Sequence, residues 1–287
     1  MKKALFVTDI HGNEAKYKKL LKVIEKEIPI VVFIGGDLLP SGISKFTSLD
    51  LSHKDFINGF LLPSFLKVKE ILNEMYPKVF LIMGNDDARI EEAALIDAST
   101  KHVWDYIHFH RRGFAGYKIF GYNFVPPTPF QLKDWEKYDV SRYIDIGCVS
   151  PEAGLRTMPV RPLAVRNETI QLDLVELTKN EELSKSIFLF HAPPYKTKLD
   201  RAALDDKMID YVPLDVHCGS IAIQRFIEES QPYVTLHGHI HESTELTGEY
   251  YQQIGRTHCF NAAHNGDELS VVTFDLENPT NNNRVLY

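Results

Sequence analysis

The sequence has little cysteine and no long apolar run, and each shortage excludes a class of protein. Its three cysteines, at positions 148, 218 and 259, are far apart and form no Cys-x-x-Cys pair. Neither a disulfide framework nor a thiolate zinc site is therefore indicated. No apolar run approaches the length of a membrane span, and the four apolar residues after Met-Lys-Lys are too few for a signal peptide. We expect a soluble, cytoplasmic protein.

The chain also lacks the positive charge of a protein that wraps nucleic acid. Its 287 residues include 32 Lys and Arg against 39 Asp and Glu, a formal net charge of -7. This balance argues against extended nucleic acid as a partner, although it leaves a local basic patch open. Twelve histidines are the one unusual count, and they direct attention to metal or acid–base chemistry.

The first third of the chain has the pattern of a strand–helix–strand unit. An apolar run at Ala4–Val7 is followed by helical spacing from Glu14, with Asn13 as a candidate N-cap, and by a second run at Ile30–Ile34. This order predicts a largely parallel sheet. Further strands are predicted at 78–83, 187–190, 233–236 and 270–276, helices at 55–75 (broken at Pro63), 88–98, 168–179 and 221–229, a hairpin within 103–125, and a loose Asn-rich tail.

Residues 126–166 differ from the rest in composition. Six of the fifteen prolines lie between Pro126 and Pro162, periodicity is weak, and Trp135, Tyr138 and Tyr143 occur among several arginines. Such a segment inside a compact protein is usually a lid or binding loop. Its aromatics could stack on a base or pin the lid to the core. We predict a single domain, 1–287, with 126–166 as an inserted substrate-binding lid, rather than a disordered linker.

Three histidines alternate in the stretch L-H-G-H-I-H-E, residues 236–242. In extended chain His237, His239 and His241 would project to one side, and Gly238 permits a turn or a close approach. Neighbouring imidazoles repel when protonated, so a bound cation would stabilise the cluster. The simpler alternative is a histidine-rich surface strand.

Five polar clusters each follow an apolar strand, at the edge where open α/β sheets bind ligands. Taken singly, each also fits a turn, a helix cap or a core histidine. Together they indicate one site built from distant parts of the chain. They are Asp9 with His11, Asp37, Asn85 with Asp86, His191, and His239 with His241.

This order of motifs resembles that of the calcineurin-like metallophosphoesterases, Asp-x-His, Gly-Asp, Gly-Asn-His-Asp/Glu, His and Gly-His-x-His. The resemblance spans Asp9 to His241. It implies an α/β fold (α+β in some schemes), a four-layer α/β/β/α sandwich of two mixed sheets with two metal ions at the strand ends. A non-catalytic scaffold of the same fold is disfavoured because every ligand position is filled.

The resemblance implies the following ligands. Asp9, His11, Asp37 and His241 would hold one metal, and Asp37, Asn85, His191 and His239 the other. Imidazole with carboxylate or amide oxygen suits manganese, iron, zinc, cobalt or nickel better than magnesium or calcium. The implied reaction is attack on phosphorus by a hydroxide bridging the two ions. His237 is no ligand in this pattern, and we expect it to support the ligands or face the substrate.

The chain departs from the pattern at Asp86, where the family commonly has a histidine that contacts the phosphate. A carboxylate beside two divalent ions stays ionised, so it is a poor proton donor and repels a dianionic phosphate. We therefore expect a phosphodiesterase, acting on a small or nucleotide-like molecule. The alternative is a phosphomonoesterase, including a protein phosphatase.

Substrate recognition is assigned to the lid. Arg142, Arg156, Arg161 and Arg166 are candidate phosphate clamps because guanidinium grips phosphate bidentately. For any single one of them, a solvated surface arginine is the commoner case. Tyr195, four residues after His191, is a further candidate. We expect a small phosphorylated substrate as the partner, and the pattern leaves homo-oligomer formation open.

Overall fold

The computed structural model describes residues 2–47 and 55–287, and fourteen strands lie within these ranges. Within the same part of the chain, no helix has both the length and the apolar character to cross a membrane. The strands are β1 (Lys3–Val7), β2 (Val31–Gly35), β3 (Lys78–Ile82), β4 (Asp105–Tyr106), β5 (Arg111–Phe114), β6 (Tyr117–Tyr122), β7 (Ser186–Phe190), β8 (Met208–Ile209), β9 (Val212–Pro213), β10 (Val234–His237), β11 (Tyr251–Ile254), β12 (Thr257–Asn261), β13 (Ser270–Asp275) and β14 (Asn278–Leu286).

Twelve of these strands form two mixed six-stranded sheets. The first has the order β14-β13-β1-β2-β3-β4, and the second has the order β11-β12-β10-β7-β6-β5. In each sheet four adjacent strands run parallel, β1 to β4 in the first and β12, β10, β7 and β6 in the second. The remaining strands pair antiparallel.

Helices cover the sheets. They are α1 (Glu14–Glu27), α2 (Ser44–Thr47), α3 (Leu62–Leu72), α4 (Glu92–Ser99), α5 (Pro162–Asn167), α6 (Ile170–Leu177), α7 (Ile221–Ser230) and α8 (Ser243–Thr247). A π-helical turn at Ile57–Leu61 precedes α3, and 3₁₀ turns occupy Asn73–Met75 and Arg89–Glu91. Asn13 caps α1 as predicted, since its side-chain oxygen accepts the backbone N–H groups of Ala15 and Lys16.

The apolar runs are continuous because each central strand is buried on both faces. In β1, Ala4 and Phe6 pack in a cluster that includes residues of both sheets, whereas Leu5 and Val7 pack in the cluster that contains α1. Successive side chains of a strand alternate between faces, so the two sheets stack against each other and the helices lie outside. The predicted α/β/β/α sandwich is confirmed.

Two predictions for the secondary structure need correction. The Asn-rich tail is not loose, because β14 pairs with β13 over residues 282–286 and again at Asn278; its run of polar residues hid an edge strand. The segment 103–125 is not one hairpin. Its first part, β4, joins β3 in the first sheet, and only β5 and β6 form a hairpin, in the second sheet.

The segment 126–166 is mostly irregular and closely packed at several points. Trp135 and Tyr138 are fully buried, and Tyr143 is exposed. Lys133 and Glu136 form an ion pair at 2.5 Å with neither side chain reaching solvent. Trp135 and Tyr138 therefore pin this segment to the core, which is one of the two roles predicted for its aromatic residues. Its description as a separate lid stays a prediction.

Candidate metal centre

The predicted ligands meet where the chain leaves β1, β2, β3, β7 and β10. The loops interlock through their backbones, as His11 N–H donates to Asp37 O at 2.8 Å and Asp9 N–H to Gly36 O at 3.0 Å. Four of the predicted ligands, Asp9, His11, Asp37 and His239, have left-handed φ angles of 55°, 50°, 48° and 72°. Non-glycine residues hold this conformation at a cost of order 1–3 kcal/mol each, and such strain concentrates at functional sites.

The first group consists of Asp9, His11, Asp37 and His241, whose ligand atoms all lie within 4.8 Å of one another. His241 Nε2 is 3.1 Å from Asp9 Oδ1 and 3.3 Å from His11 Nε2. His11 Nε2 is 3.7 Å from Asp37 Oδ2. Two ring nitrogens facing each other between two carboxylates form a compact donor set that a divalent cation would hold together.

The second group adjoins the first through Asp37. His191 Nε2 lies 3.3 Å from Asp37 Oδ2 and 3.1 Å from Asn85 Oδ1. The His191 and His239 rings have centroids 5.3 Å apart. His191 Nδ1 donates to Gly35 O at 2.8 Å, which directs Nε2 toward the site, as expected for a metal-ligating histidine.

Charge within the cluster is balanced between carboxylates and imidazoles. Burial lowers the pKa of His11, but the hydrogen bond to Asp86 and the charges of Asp37 and Asp9 raise it to about 10. Burial also lowers the pKa of His191, and Asp37 and Asp9 outweigh this effect and raise it to about 9. For His239, burial prevails and lowers the pKa to about 3.

The carboxylates respond in the opposite sense. Burial raises the pKa of Asp9, but His241, His191 and His11 hold it well below its usual range. Burial likewise raises the pKa of Asp37, and His191 and His11 bring it down to about 2. Both groups are ionised at neutral pH while almost wholly buried. Buried anions beside neutral or displaceable imidazoles fit two divalent metal ions.

Two glycines next to the ligands permit this crowding. A Cβ on Gly84 would collide with the Asp37 carboxylate and approach the His191 ring, and a Cβ on Gly238 would collide with Thr8 and Asp9. The close approach predicted for Gly238 is therefore present, and Gly84 has the same role.

Asp86 orients a ligand. Its Oδ2 accepts from His11 Nδ1 at 3.2 Å, and its Oδ1 accepts from Ser41 Oγ at 2.6 Å. Its backbone N–H donates to Asp37 Oδ1 at 2.8 Å. The His11 tautomer is thereby set with Nε2 facing the metal centre, which is the usual arrangement of carboxylate, histidine and metal.

Asp87 was missed as a functional residue. It is fully buried and accepts the backbone N–H groups of Leu38, Leu39 and Gly84 at 3.0, 2.7 and 2.9 Å. It thus ties the loop after β2 to the loop after β3. The second acid of Gly-Asn-Asp-Asp was visible in the sequence, but only the backbone geometry reveals its partners.

His237 does not face the substrate, and this part of its prediction is corrected. The residue is fully buried, with Nδ1 2.8 Å from Ala192 O and Nε2 2.8 Å from Thr235 Oγ1. Its ring stacks on Phe190 at a centroid distance of 5.8 Å. Both nitrogens are occupied, so His237 braces the strand end that carries Gly238 and His239. Strand β10 ends at His237, so the alternation that would place His237 on one side with His239 and His241 does not continue past it.

The predicted substrate-binding residues do not line the metal centre. Arg142 bonds to Glu152 at 2.7 Å and lies over the Tyr138 ring. Tyr195 donates to Asp215 at 2.6 Å. Arg156 and Arg161 line a different cavity. Their placement gives no support to phosphate clamps at the metal centre, a prediction that relied on residue type within a segment whose path the sequence does not define.

The metal centre opens into a cleft of about 590 Å³. One wall comes from Pro129, Phe130, Gln131 and Leu132, and Phe130 is 60% exposed. No lysine or arginine is found among the described residues that line the cleft. The others are His11, Asp37, Ser41, Ile43, Asn85, Asp86, His239, His241 and Glu242.

The fold and the site together define a metal-binding α/β/β/α hydrolase scaffold. The sequence model of the calcineurin-like phosphoesterase family matches residues 2–243. The chain belongs to this family, whose members are metal-dependent phosphoric ester hydrolases that bind two divalent metals.

Solved structures show the same fold. A crystal structure 17% identical in sequence has a TM-score of 0.58, with 100% of this chain and 98% of that chain covered. The crystal structure of the protein TT1561 of Thermus thermophilus is 16% identical, with a TM-score of 0.55 and coverage of 99% and 98%. No curated protein matches the chain. At these identities the likeness extends to the fold alone.

Proposed function

We propose that the chain is a phosphodiesterase that hydrolyses a singly charged diester of a small or nucleotide-like molecule. The observation that carries this proposal is the charge of the cleft. Asp86 and Glu242 line it beside the ligands, and no lysine or arginine of the described chain joins them. A dianionic monoester would meet these carboxylates without a protein cation to offset them, whereas a diester carries one charge less.

When bound, two divalent ions would supply an acidified water and neutralise phosphate oxygens. The chain's own residues position this chemistry. Asp86 holds the His11 ring, and Asp87 fixes the loop that carries Asn85. Neither acid is placed to donate a proton to a leaving group, which favours substrates whose leaving group departs without one.

The cleft wall supports a substrate with two substituents. Pro129, Phe130 and Leu132 present apolar surface beside the metal centre, and Ile43 lies on the described rim. A diester has a second organic group that such a wall can bury, at about 25 cal/mol per Å² of apolar area. A monoester has one group and gains correspondingly less.

The test compares turnover of bis-p-nitrophenyl phosphate and p-nitrophenyl phosphate by the manganese-loaded protein, with a chelator arm to establish metal dependence. We expect a higher kcat/KM for the diester. Asp86→His should raise monoester activity, because it removes a negative charge and adds a proton donor. Asp86→Asn, which removes only the charge, should shift the diester-to-monoester ratio in the same direction by a smaller factor.

Glu242→Gln is the matched control for general cleft charge. Glu242 also lines the cleft, but its carboxylate accepts from the Ala203 backbone N–H at 3.1 Å rather than from a ligand. Its substitution should change the ratio less than Asp86→Asn. A wild-type preference for the monoester would contradict the proposal.

A further inference from the structure

A second cavity of about 730 Å³ lies apart from the metal cleft, and the two share no lining residue. Its walls come from the 3₁₀ turn and helix after β3, from the chain around His108 and Phe124, and from residues 156–165. A volume of this size falls in the range of small-molecule sites. It contains four cationic side chains, Arg89, Lys137, Arg156 and Arg161.

Two of these cations have no carboxylate partner within the described chain. The Arg156 guanidinium donates only to the backbone carbonyls of Lys133 and Pro151. The Arg161 side chain is exposed and makes no hydrogen bond or ion pair with any described residue. Guanidinium groups that line a cavity without acidic partners favour an anionic ligand.

The acids of this cavity are already engaged. Lys137 bonds to Glu168 and Asp173, each at 2.8 Å. Glu136 pairs with buried Lys133 at 2.5 Å. Glu92, the fourth acid of the cavity, lies close to Arg89. Arg156 and Arg161 are therefore the cations left available to a ligand.

Arg89 brings a third guanidinium to the same place. It lies over the Trp135 ring at 5.0 Å and is 3.6 Å from Glu92. Burial lowers the pKa of Arg156, and the charge of Arg89 lowers it further, against the opposing effect of Asp134. Asp134 offsets the repulsion between these two guanidinium groups, so an anion would be attracted chiefly by Arg156 and Arg161, which have no ion-pair partner among the described residues.

His108 adds an unpaired donor. Its Nδ1 accepts the Asn123 backbone N–H at 3.1 Å. Burial, with the charges of Arg89 and Lys137, lowers the pKa of His108 well below its usual value. The ring is therefore neutral with its proton on Nε2, and no described residue accepts that proton. His108 lines the cavity among aromatic rings, 5.4 Å from Phe124 and 5.1 Å from Trp135 between centroids.

We propose that this second cavity binds a small organic phosphate with an aromatic body, of the nucleoside monophosphate class. Arg156 and Arg161 would take the phosphate, with Arg89 close by. The rings of Phe109 and Phe124 and the side chain of Met158, all lining residues, would pack on the aromatic body. The proposal is independent of phosphodiester hydrolysis, since it concerns different residues.

The site is connected to the metal centre through a short loop. Arg89 follows Asn85 and Asp86 by a few residues, and its backbone N–H donates to Asp134 Oδ2 at 2.8 Å. Asp134 also accepts from the backbone N–H of Thr157, next to Arg156, at 2.9 Å. One carboxylate therefore joins the loop that carries metal ligands to the wall that carries the arginine.

The experiment measures binding of AMP, inorganic phosphate and adenosine to the manganese-loaded protein by calorimetry. AMP should bind at least about tenfold more tightly than phosphate or adenosine, because it alone satisfies both halves of the cavity. Arg161→Ala and Arg156→Lys should each weaken AMP binding about tenfold or more. Arg166→Ala is the matched control, since Arg166 lies on α5, the helix that Arg161 precedes, but does not line the cavity.

Asp37→Asn separates the two sites, because it disables the metal centre and leaves the second cavity intact. AMP binding that survives Asp37→Asn and is lost in Arg161→Ala supports the proposal. Binding that is lost in Asp37→Asn and kept in both arginine variants belongs to the metal cleft and overturns it. No AMP binding at about 1 mM, or equal binding of citrate, overturns it as well. If Arg156→Lys fails to fold, Arg161→Ala decides the outcome, because Arg161 is exposed and its substitution should not disturb folding.

Discussion

Metal loading should release protons, and the number follows from the geometry of the ligands. With pKa values of about 10 and about 9, His11 and His191 are both protonated near neutral pH when no metal is bound. Each must lose that proton to coordinate a cation. His239, with a pKa of about 3, and the ionised Asp9 and Asp37 release none.

At about pH 7.5 we therefore expect the histidines to release about two protons per fully loaded protein, or about three when His241 contributes, and ionisation of a metal-bound water would add to this count. The pKa of His241 is raised because Asp9, by its charge and hydrogen bond, outweighs the lowering by burial. The apparent affinity for the metal pair should rise about a hundredfold for each pH unit over which two protons are released.

The assay is calorimetric titration of chelator-stripped protein with manganese, in two buffers of different ionisation enthalpy. The difference between the two heats gives the proton count. Asp86→Asn removes the strongest of the interactions that raise the pKa of His11. In this variant, the release of a proton from His11 should therefore be lost at a lower pH than in the wild type. A count near zero, or an affinity unchanged between about pH 6.5 and 8.5, would refute the assignment of His11 and His191 as ligands.

The same shifts determine how the stability of the stripped protein depends on pH. Because the folded-state pKa values of His11 and His191 exceed the unfolded value of about 6.5, their contribution is complete below that pH. It is lost as the pH rises through about 9 to 10. Asp9 and Asp37 have depressed pKa values, so their contribution is present above about pH 4 and is lost on acidification. Metal-loaded protein should not show the alkaline loss.

Three substitutions test the supporting structure by urea denaturation. Asp87→Ala leaves three buried N–H groups unpaired and should cost about 3 kcal/mol or more, whereas exposed Asp97→Ala should change stability by less than about 0.5 kcal/mol. Lys133→Met leaves the buried Glu136 carboxyl without its cation and should cost about 3–5 kcal/mol; adding Glu136→Gln should recover a substantial part, and no recovery would contradict the pairing. His237→Gln should cost about 2 kcal/mol but leave kcat per metal-loaded protein unchanged, and a selective loss of kcat would restore a role in catalysis.

The clustering of the predicted ligands could be foreseen from sequence because each of them carries two signals. Asp9, Asp37 and His191 follow apolar runs, and the ends of parallel strands share one edge. The residue types then indicate metal binding, because the histidines at 239 and 241 are of a type that binds metals together with carboxylates. Both signals are local. Only a few strand orders are topologically favourable, which restricts how these residues can be brought together.

The residues outside the strand ends could not be located in this way. Arg142, Arg156 and Arg161 lie in a segment whose path depends on buried contacts such as the Lys133–Glu136 pair, which no periodicity encodes. His237 shares the alternation of its neighbours, but the turn at Gly238 ends the strand and sends the next side chains to another side. Alternation predicts a common face only while the backbone stays extended.

The need for cations in this protein is set by its fold. Asp9 and Asp37 lie at the buried ends of adjacent parallel strands, and their charges must be compensated there. Protons on His11 and His191 provide two positive charges, and two divalent ions would provide four while freeing both imidazoles as ligands. The extra positive charge is then available to an incoming phosphate. On the proposed function, a cleft without lysine or arginine among its described residues would bind an anion through the metals, and the carboxylate of Asp86 would reduce how much negative charge that anion can carry.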